Sequence, residues 1–217
     1  MAPRQKTRYF WTAALLILLA AALYCSWPVG IWLNPGASRS GLASELGAFG
    51  QPYNWLFIWA DIVSGALLVG GCLLLTRLFA LTRWVRIGLV LLAVYGVCGA
   101  LDAGLPLRCV PSIQICGPIF HDPQLVLHGV LDYIGSFALF GTLIAGWKVA
   151  RQEDNVWLPW IYVVGTAGII FALLSLIFII DNGPGYWAQR YYLTISSIWV
   201  ASLPFVLHGK SVYAKKA

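Results

Sequence analysis

The sequence predicts an all-α membrane protein: a polytopic helical bundle with six transmembrane helices and both termini in the cytoplasm. Three observations lead to this prediction. The chain is 60% hydrophobic and only 10% charged, it contains six long apolar stretches, and its basic residues are unevenly distributed. Soluble domains are about half apolar and about a quarter charged, so this composition indicates a chain whose solvent is the bilayer. We expect one domain over residues 1–217.

Each apolar stretch is long enough to cross the hydrocarbon, because a helix rises about 1.5 Å per residue and a crossing needs about 20 residues. In chain order the stretches are 10–33, 53–75, 85–105, 125–147, 156–180 and 191–208. The first follows a basic start, as in a secretory signal, but it is longer than the apolar part of such signals. Trp27-Pro28 is also a poor processing site, so we expect a retained helix.

The distribution of charge predicts the orientation. Alternate connections and the two termini hold eleven of the fourteen basic residues, and the positive-inside rule places these segments in the cytoplasm. Six of the eight acidic residues lie on or toward the other side. We therefore interpret the net charge of +6 as a topology signal for a bacterial inner-membrane protein and not as nucleic-acid binding. The eleven basic residues are Arg4, Lys6, Arg8, Arg77, Arg83, Arg86, Lys148, Arg151, Lys210, Lys215 and Lys216.

The predicted outer loops are longer than the inner ones, and longer loops more often carry function. Loop 34–52 contains Ser44-Glu45-Leu46-Gly47, which predicts a short interfacial helix ended by Gly47. Loop 106–124 contains Cys109 and Cys116, for which we predict a disulfide, with two free thiols as the alternative. The end of the same loop, Asp122-Pro123, is expected to cap the fourth span.

Four ionisable residues lie within the predicted spans, all in the outer half: Asp61, Asp102, His128 and Asp132. Each belongs to a stripe of polar and small residues at helical spacing, such as Tyr95-Cys98-Gly99-Asp102. Such stripes have two explanations. They can be interhelical hydrogen bonds that hold the bundle together, or the acids can line a water-accessible pocket that opens to the outer face.

Several short motifs resemble the bacterial domain-of-unknown-function 998 family. The most specific is Ser44-Glu45-Leu46-Gly47 after the first helix. Asp102 before the outer loop, Leu127-His128-Gly129 and the segment that ends in Gln189-Arg190 resemble the middle and last portions of the family. Members are similar in layout to the FRAG/DRAM/SFK membrane proteins, some of which are linked to lipid handling. The resemblance implies six spans and no settled activity.

Following this resemblance, Glu45, Asp102, His128 and Arg190 come from separate segments that all map to the outer face. A carboxylate–guanidinium pair is expected there, formed by Arg190 with either Glu45 or Asp102. One interpretation is that the pair pins the outer loops to the bundle. The other is that Arg190 binds an anionic head group.

Three functional hypotheses stay open. The first is a non-catalytic protein that binds a lipid or small amphiphile in an outer polar pocket. The second is a metal-assisted lipid hydrolase, in which His128 and Asp132, one turn apart, act with Asp61 or Asp102. The third is a proton-coupled transporter that uses Asp61 and Asp132 as relay groups.

No cofactor is expected, because the sequence contains no phosphate-binding glycine loop, dinucleotide fingerprint or haem-attachment motif. Membrane lipids are the expected partners, and a second membrane protein or another copy of the chain stays open. The candidate functional residues are Glu45, Asp61, Asp102, His128, Asp132 and Arg190.

Overall fold

A computed structural model of the chain confirms the predicted all-α class. It describes residues 3–36, 41–78, 82–110, 122–152, 156–180 and 185–207, and these residues contain no β-strand. Seven complete α-helices and one 3-10 helix fall within them. They are α1 (Pro3–Tyr24), α2 (Trp27–Leu33), the 3-10 helix (Ala43–Gly47), α3 (Asn54–Leu78), α4 (Arg83–Ala103), α5 (Pro123–Gln152), α6 (Leu158–Ile180) and α7 (Gly185–Leu207).

Five helices of the described chain, α1 and α3 to α6, are long and apolar enough to cross a membrane. The protein is therefore a multi-pass membrane protein. Helix α7 has 23 residues, which span about 34 Å at 1.5 Å per residue, but Gln189 and Arg190 make its first turns less apolar. A sixth crossing and the cytoplasmic position of both termini remain predictions.

The first predicted span is divided in two, which corrects the expectation of one helix over 10–33. Helix α1 ends at Tyr24, and α2 begins at Trp27 with Pro28 in its first turn. Proline has no amide hydrogen to donate to the carbonyl one turn earlier, and its ring clashes with that carbonyl. The predicted interfacial helix is present as the 3-10 helix, which ends at Gly47 as expected.

The helices form a ring in which each packs on its neighbours. Helix α1 lies between α3 and α7, α4 lies between α3 and α5, and α6 packs mainly on α7. Helices α3 and α4 approach so closely that a Cβ on Gly65 would collide with the carbonyl of Gly96. Small residues at helix contacts allow the backbones of membrane helices to approach in this way.

We call one end of the bundle outer, following the orientation predicted from charge. The outer end holds Tyr24, Asn54, Ala103, Pro123 and Gly185, the residues at which five helices begin or end. At the opposite, inner end, the Lys148 ammonium lies 4.7 Å from the ring of Trp147, and the Trp147 indole donates a 3.0 Å hydrogen bond to the Tyr162 hydroxyl. Basic and aromatic residues together are typical of a membrane interface.

The outer loops form a compact layer, which we call the outer cap and define as residues 41–53 and 104–110. The amide of Phe49 donates to the carbonyl of Leu107 at 2.9 Å and joins the two segments. Gln124, in the first turn of α5, donates to the carbonyl of Pro106 at 2.7 Å. The predicted cap of α5 is confirmed, because Asp122 accepts hydrogen bonds from the amides of Gln124 and Leu125.

Candidate functional site

A groove at the outer end lies between α1, α4 and α5, and two of the six predicted candidate residues, Asp102 and Asp132, line it. It encloses about 220 Å³, including space open to solvent. Helix α4 contributes its predicted polar stripe, and all four members of that stripe line the groove. The lining residues are Tyr24, Tyr95, Cys98, Gly99, Asp102, Leu131, Asp132 and Gly135.

Asp102 and His128 form an ion pair at the top of this outer groove. The distance between His128 Nδ1 and Asp102 Oδ1 is 2.8 Å, and the two side chains are 16% and 22% exposed, respectively. Both atoms are buried and have no other hydrogen-bond partner among the described residues. The imidazole therefore clamps the outer end of α5 to the end of α4.

The position of Asp102 distinguishes between Glu45 and Asp102, the two predicted partners of Arg190. Asp102 pairs with His128, whereas the carboxylate that acts electrostatically on Arg190 is Glu45. Glu45 and Arg190 are buried, at 2% and 1% exposure, and lie outside the lining of the outer groove. They belong to the contact between the outer cap and α7.

Arg190 is enclosed by protein groups. Its guanidinium donates to the carbonyl of Gly41 at 2.8 Å. Its central carbon lies 5.4 Å from the ring centroids of Trp27 and Trp187 and 5.6 Å from that of Tyr186. Beside it, the Gln189 side chain accepts a 2.7 Å hydrogen bond from the amide of Ala43. This geometry matches the interpretation in which Arg190 pins the outer cap to the bundle.

Asp132 lies one turn deeper than His128 on α5 and is exposed to the outer groove. It makes no hydrogen bond or ion pair with any other described residue. Its charge acts on three tyrosines, Tyr24, Tyr95 and Tyr192, which come from α1, α4 and α7. The carboxylate is thus accessible and available at a position within a predicted span.

Asp61, on α3, lies on the other side of α4 from Asp132 and is half-buried. Its charge acts on Tyr24. The Asp61 carboxylate is also close enough to the Asp102 carboxylate for the two charges to interact. It makes no hydrogen bond within the described chain. Asp61, Asp102, His128 and Asp132 therefore form one electrostatic cluster, and two of its members, Asp102 and Asp132, line the outer groove.

The sequence does not single out Tyr24 and Tyr192 as site residues. Tyr24 packs edge to face on Tyr95, with 5.5 Å between ring centroids, and the Tyr192 hydroxyl donates to Ser136 at 3.1 Å. Ten tyrosines are present, and membrane proteins place many at the interface, so their number alone could not separate these two. The feature that distinguishes these two tyrosines is their position, because each lies near the outer end of a helix.

A three-ligand metal site is not assembled by the described residues: no three His, Cys, Asp or Glu side chains among them lie close enough together to hold an ion. The metal-assisted hydrolase therefore gains no support from the His128 and Asp132 pair. Cys116 and His121 lie outside the described residues. The Cys109–Cys116 disulfide accordingly remains a prediction.

Comparison with known proteins gives a family but no activity. No curated protein and no solved structure matches the chain. The sequence model of one family, described as a protein of unknown function (DUF998), matches residues 13–206 and so covers nearly the whole helical bundle. The chain therefore belongs to the DUF998 family.

Proposed function

We propose that the protein binds a membrane amphiphile, with the polar head of that molecule in the outer groove. The observation that supports this most directly is Asp132, an exposed carboxylate that makes no hydrogen bond or ion pair among the described residues. It lies about 14 Å along α5 from Pro123 at 1.5 Å per residue. Ionisable side chains at such depth are costly and usually meet a partner or a water-filled cavity.

The charge of the outer groove favours an amine as the head group. Asp102 forms an ion pair with His128, whereas Asp61 and Asp132 form no ion pair in the described chain, and the charge of His128 reaches Asp132 only through space. A head group with a positive charge and several N–H donors would satisfy the free carboxylate. Hydrogen bonds to charged groups contribute about 1.5–3 kcal/mol, so the expected preference for an amine over a neutral head is tenfold or more.

The size of the outer groove limits the ligand. Ligand pockets commonly measure about 300–1,000 Å³, and this groove encloses about 220 Å³ with its open part included. It has room for a small head group and not for a whole lipid. The apolar part of the ligand would stay in the surrounding lipid, where side chains such as Phe137, 74% exposed, already face outward.

The test compares dodecylamine with dodecanol, which has the same tail and a neutral head. Binding to the purified full chain in neutral detergent is measured by tryptophan fluorescence and by thermal stabilisation. We expect dodecylamine to bind at least about tenfold more tightly, equivalent to about 1.4 kcal/mol. Native mass spectrometry with phosphatidylethanolamine and phosphatidylglycerol then extends the comparison to lipids with and without an amine.

Asp132→Asn should remove the preference for dodecylamine, because it keeps the side-chain shape and removes the charge. Asp122→Asn is the matched control: it removes a carboxylate from the same end of α5, outside the outer groove, and asparagine still caps a helix well. Equal binding of both amphiphiles by the native chain, or an unchanged preference in Asp132→Asn, would reject the proposal.

Proton-coupled transport is the second candidate, and one observation favours it. A second cavity lies deeper in the bundle than the outer groove, and Tyr24 and Tyr95 line both. A relay could therefore run from Asp132 past the tyrosines toward the bilayer centre. Proton flux in proteoliposomes that Asp61→Asn and Asp132→Asn both abolish would favour transport over binding alone.

Six crossings and cytoplasmic termini are part of the proposal, together with a location in a bacterial inner membrane. The length of α7 and its position in the ring between α1 and α6 support the sixth crossing. A reporter that is active only in the periplasm, fused after Ala217, should be inactive, and a reporter active only in the cytoplasm should be active. The opposite pattern would reject cytoplasmic termini, because it fits only an odd number of crossings or an inverted bundle.

A further inference from the structure

A small chamber lies below the outer groove, toward the middle of the bundle. It encloses about 180 Å³, including the space that is open. Four helices, α1, α3, α4 and α7, contribute to it. The lining is mainly apolar, with hydroxyl groups from α3 and α7 as its polar part. The lining residues are Ala20, Ala21, Tyr24, Ser64, Leu68, Tyr95, Ser197 and Val200.

Ser197 is the unusual residue in this chamber. It is 6% exposed, and its hydroxyl has no hydrogen-bond partner in the described chain. Other serines of the bundle do have partners: Ser64, across the chamber, donates to the carbonyl of Ala20 at 2.8 Å, and Ser175 donates to its own helix. Buried polar groups are nearly always hydrogen-bonded, and ordered water satisfies those that protein groups do not reach.

The connection to the outside runs past Tyr24 and Tyr95. These two residues line both the outer groove and the chamber, so their edge-to-face pair forms the wall between the two spaces. Tyr24 is the more accessible of the two, since Tyr95 is only 7% exposed. Movement of the Tyr24 ring would therefore open the chamber to water from the outer groove.

Below the chamber the bundle is closed. The Trp199 indole donates to the Thr142 hydroxyl at 2.7 Å, and that hydroxyl donates to the carbonyl of Leu139 at 2.6 Å. Val200 and Leu203 are 3% and 0% exposed. The Trp199 and Thr142 donors are already hydrogen-bonded, and Val200 and Leu203 are apolar. A water in the chamber therefore has no polar partner deeper along this part of α7.

We propose that the chamber is a hydration site that fills from the outer groove through the Tyr24–Tyr95 pair. Water bound there hydrogen-bonds the Ser197 hydroxyl, and Ser64 supplies a second oxygen as acceptor. Hydration thus extends from the outer face to the level of Ser197 and stops there. The site requires no amphiphile in the groove, so it stands or falls separately from the proposed function.

The experiment uses a thiol reporter at position 197. Cys25, Cys72 and Cys98 are replaced by alanine in the full chain, and Ser197→Cys is added. The purified protein is treated with methanethiosulfonate ethylammonium, and modification at position 197 is followed by peptide mass spectrometry. Ser197→Cys should react about tenfold or more faster than Leu203→Cys, because the thiolate is the nucleophile and a thiol in a dry apolar site keeps its proton.

Variants of Tyr24 test the route. Tyr24→Ala removes the wall and should raise the reaction rate of Ser197→Cys about tenfold, whereas Tyr24→Phe keeps the ring and should leave the rate within about twofold. Ser64→Cys, on the opposite side of the chamber, is a second reporter if Ser197→Cys does not fold. Reaction as slow as that of Leu203→Cys at both reporters would overturn the hydration site, and an unchanged rate in Tyr24→Ala would overturn the route.

Discussion

Along α5, the outer and inner halves are packed in opposite ways. Between residues 123 and 137 only Gly135 is buried, and Phe137 is 74% exposed. Between residues 138 and 150 the helix turns a continuous buried face to the bundle, and Trp199 approaches so closely that a Cβ on Gly146 would lie 2.9 Å from its ring. The buried residues of this inner half are Ala138, Leu139, Thr142, Ala145, Gly146, Val149 and Ala150.

The same contrast holds for polar groups. In the inner half, Trp199 and Thr142 satisfy each other by a direct hydrogen bond. From the outer end to the middle of the bundle, Asp61, Asp132 and the Ser197 hydroxyl have no hydrogen-bond partner in the described chain. Stable folds leave few polar groups unsatisfied, and departures tend to occur at functional sites. The difference indicates that the inner half supplies stability while the outer half keeps polar groups available.

The largest expected effect tests the inner half. Trp199→Ala removes a side chain that is 1% exposed and leaves a cavity beside Gly146, so we expect it to lower the free energy of unfolding by about 4 kcal/mol. Unfolding is measured by titration with sodium dodecyl sulfate in mixed micelles. Phe137→Ala, on the exposed face of the outer half, is the control and should change stability by about 0.5 kcal/mol or less.

If both substitutions cost the same free energy, the outer half of α5 is as well packed as the inner half. That outcome would place a protein partner or a second copy of the chain against Phe137. It would also remove the basis for assigning stability to the inner half alone.

The next effect concerns the contact between the outer cap and α7, where the charged residues Glu45 and Arg190 are both buried. Arg190→Met removes the donor to Gly41 and leaves the buried Glu45 without its opposite charge. Breaking a buried pair in this way costs about 3 kcal/mol or more. Replacing both residues, with Glu45→Gln beside Arg190→Met, should cost clearly less than the sum of the single variants in the same titration.

Strict additivity of the two substitutions would show that Glu45 and Arg190 act independently. The other interpretation, in which Arg190 binds an anionic head group, predicts that the stability of the protein depends on the lipid in the micelle. Stability of the native chain would then rise with phosphatidylglycerol in the micelle, and the rise would be lost in Arg190→Met. The enclosure of the guanidinium by Trp27, Tyr186 and Trp187 favours the pinning role.

Much of this organisation could be predicted from the sequence, because helical periodicity determines which residues share a face. The stripes of α3, α4 and α5 place four ionisable residues at one end, and the structure brings them into one electrostatic cluster beside the outer groove. The Asp122 cap is equally predictable from the sequence, because a capping side chain binds amides only two and three residues away.

Other features depend on contacts between distant segments and could not be predicted. Spacing along the chain left Glu45 and Asp102 equally suitable as partners of Arg190, and only the path of the outer cap separates them. The break after Tyr24 is different, because Pro28 is present in the sequence and its missing amide hydrogen is itself a reason for the helix to end about one turn earlier. Tyr24 and Tyr192 lie close to Asp132 only because α1, α5 and α7 meet toward their outer ends.

The smallest expected effect tests whether the outer half of α5 opens by itself. Asp122→Ala removes the acceptor for the amides of Gln124 and Leu125, and loss of a helix cap costs about 1 kcal/mol. Because few tertiary contacts hold residues 123–137, the cost should appear locally. Hydrogen exchange measured by mass spectrometry should accelerate about fivefold in peptides covering these residues and stay unchanged in residues 138–150.

Asp122→Asn keeps the cap and should exchange like the native chain, which separates the lost hydrogen bonds from the lost charge. Faster exchange along all of α5 would mean that the helix opens as one unit and that its two halves are coupled. In that case, ligand binding at Asp132 would also stabilise the inner half. Local acceleration alone means that the outer groove can open and close while the inner core stays intact.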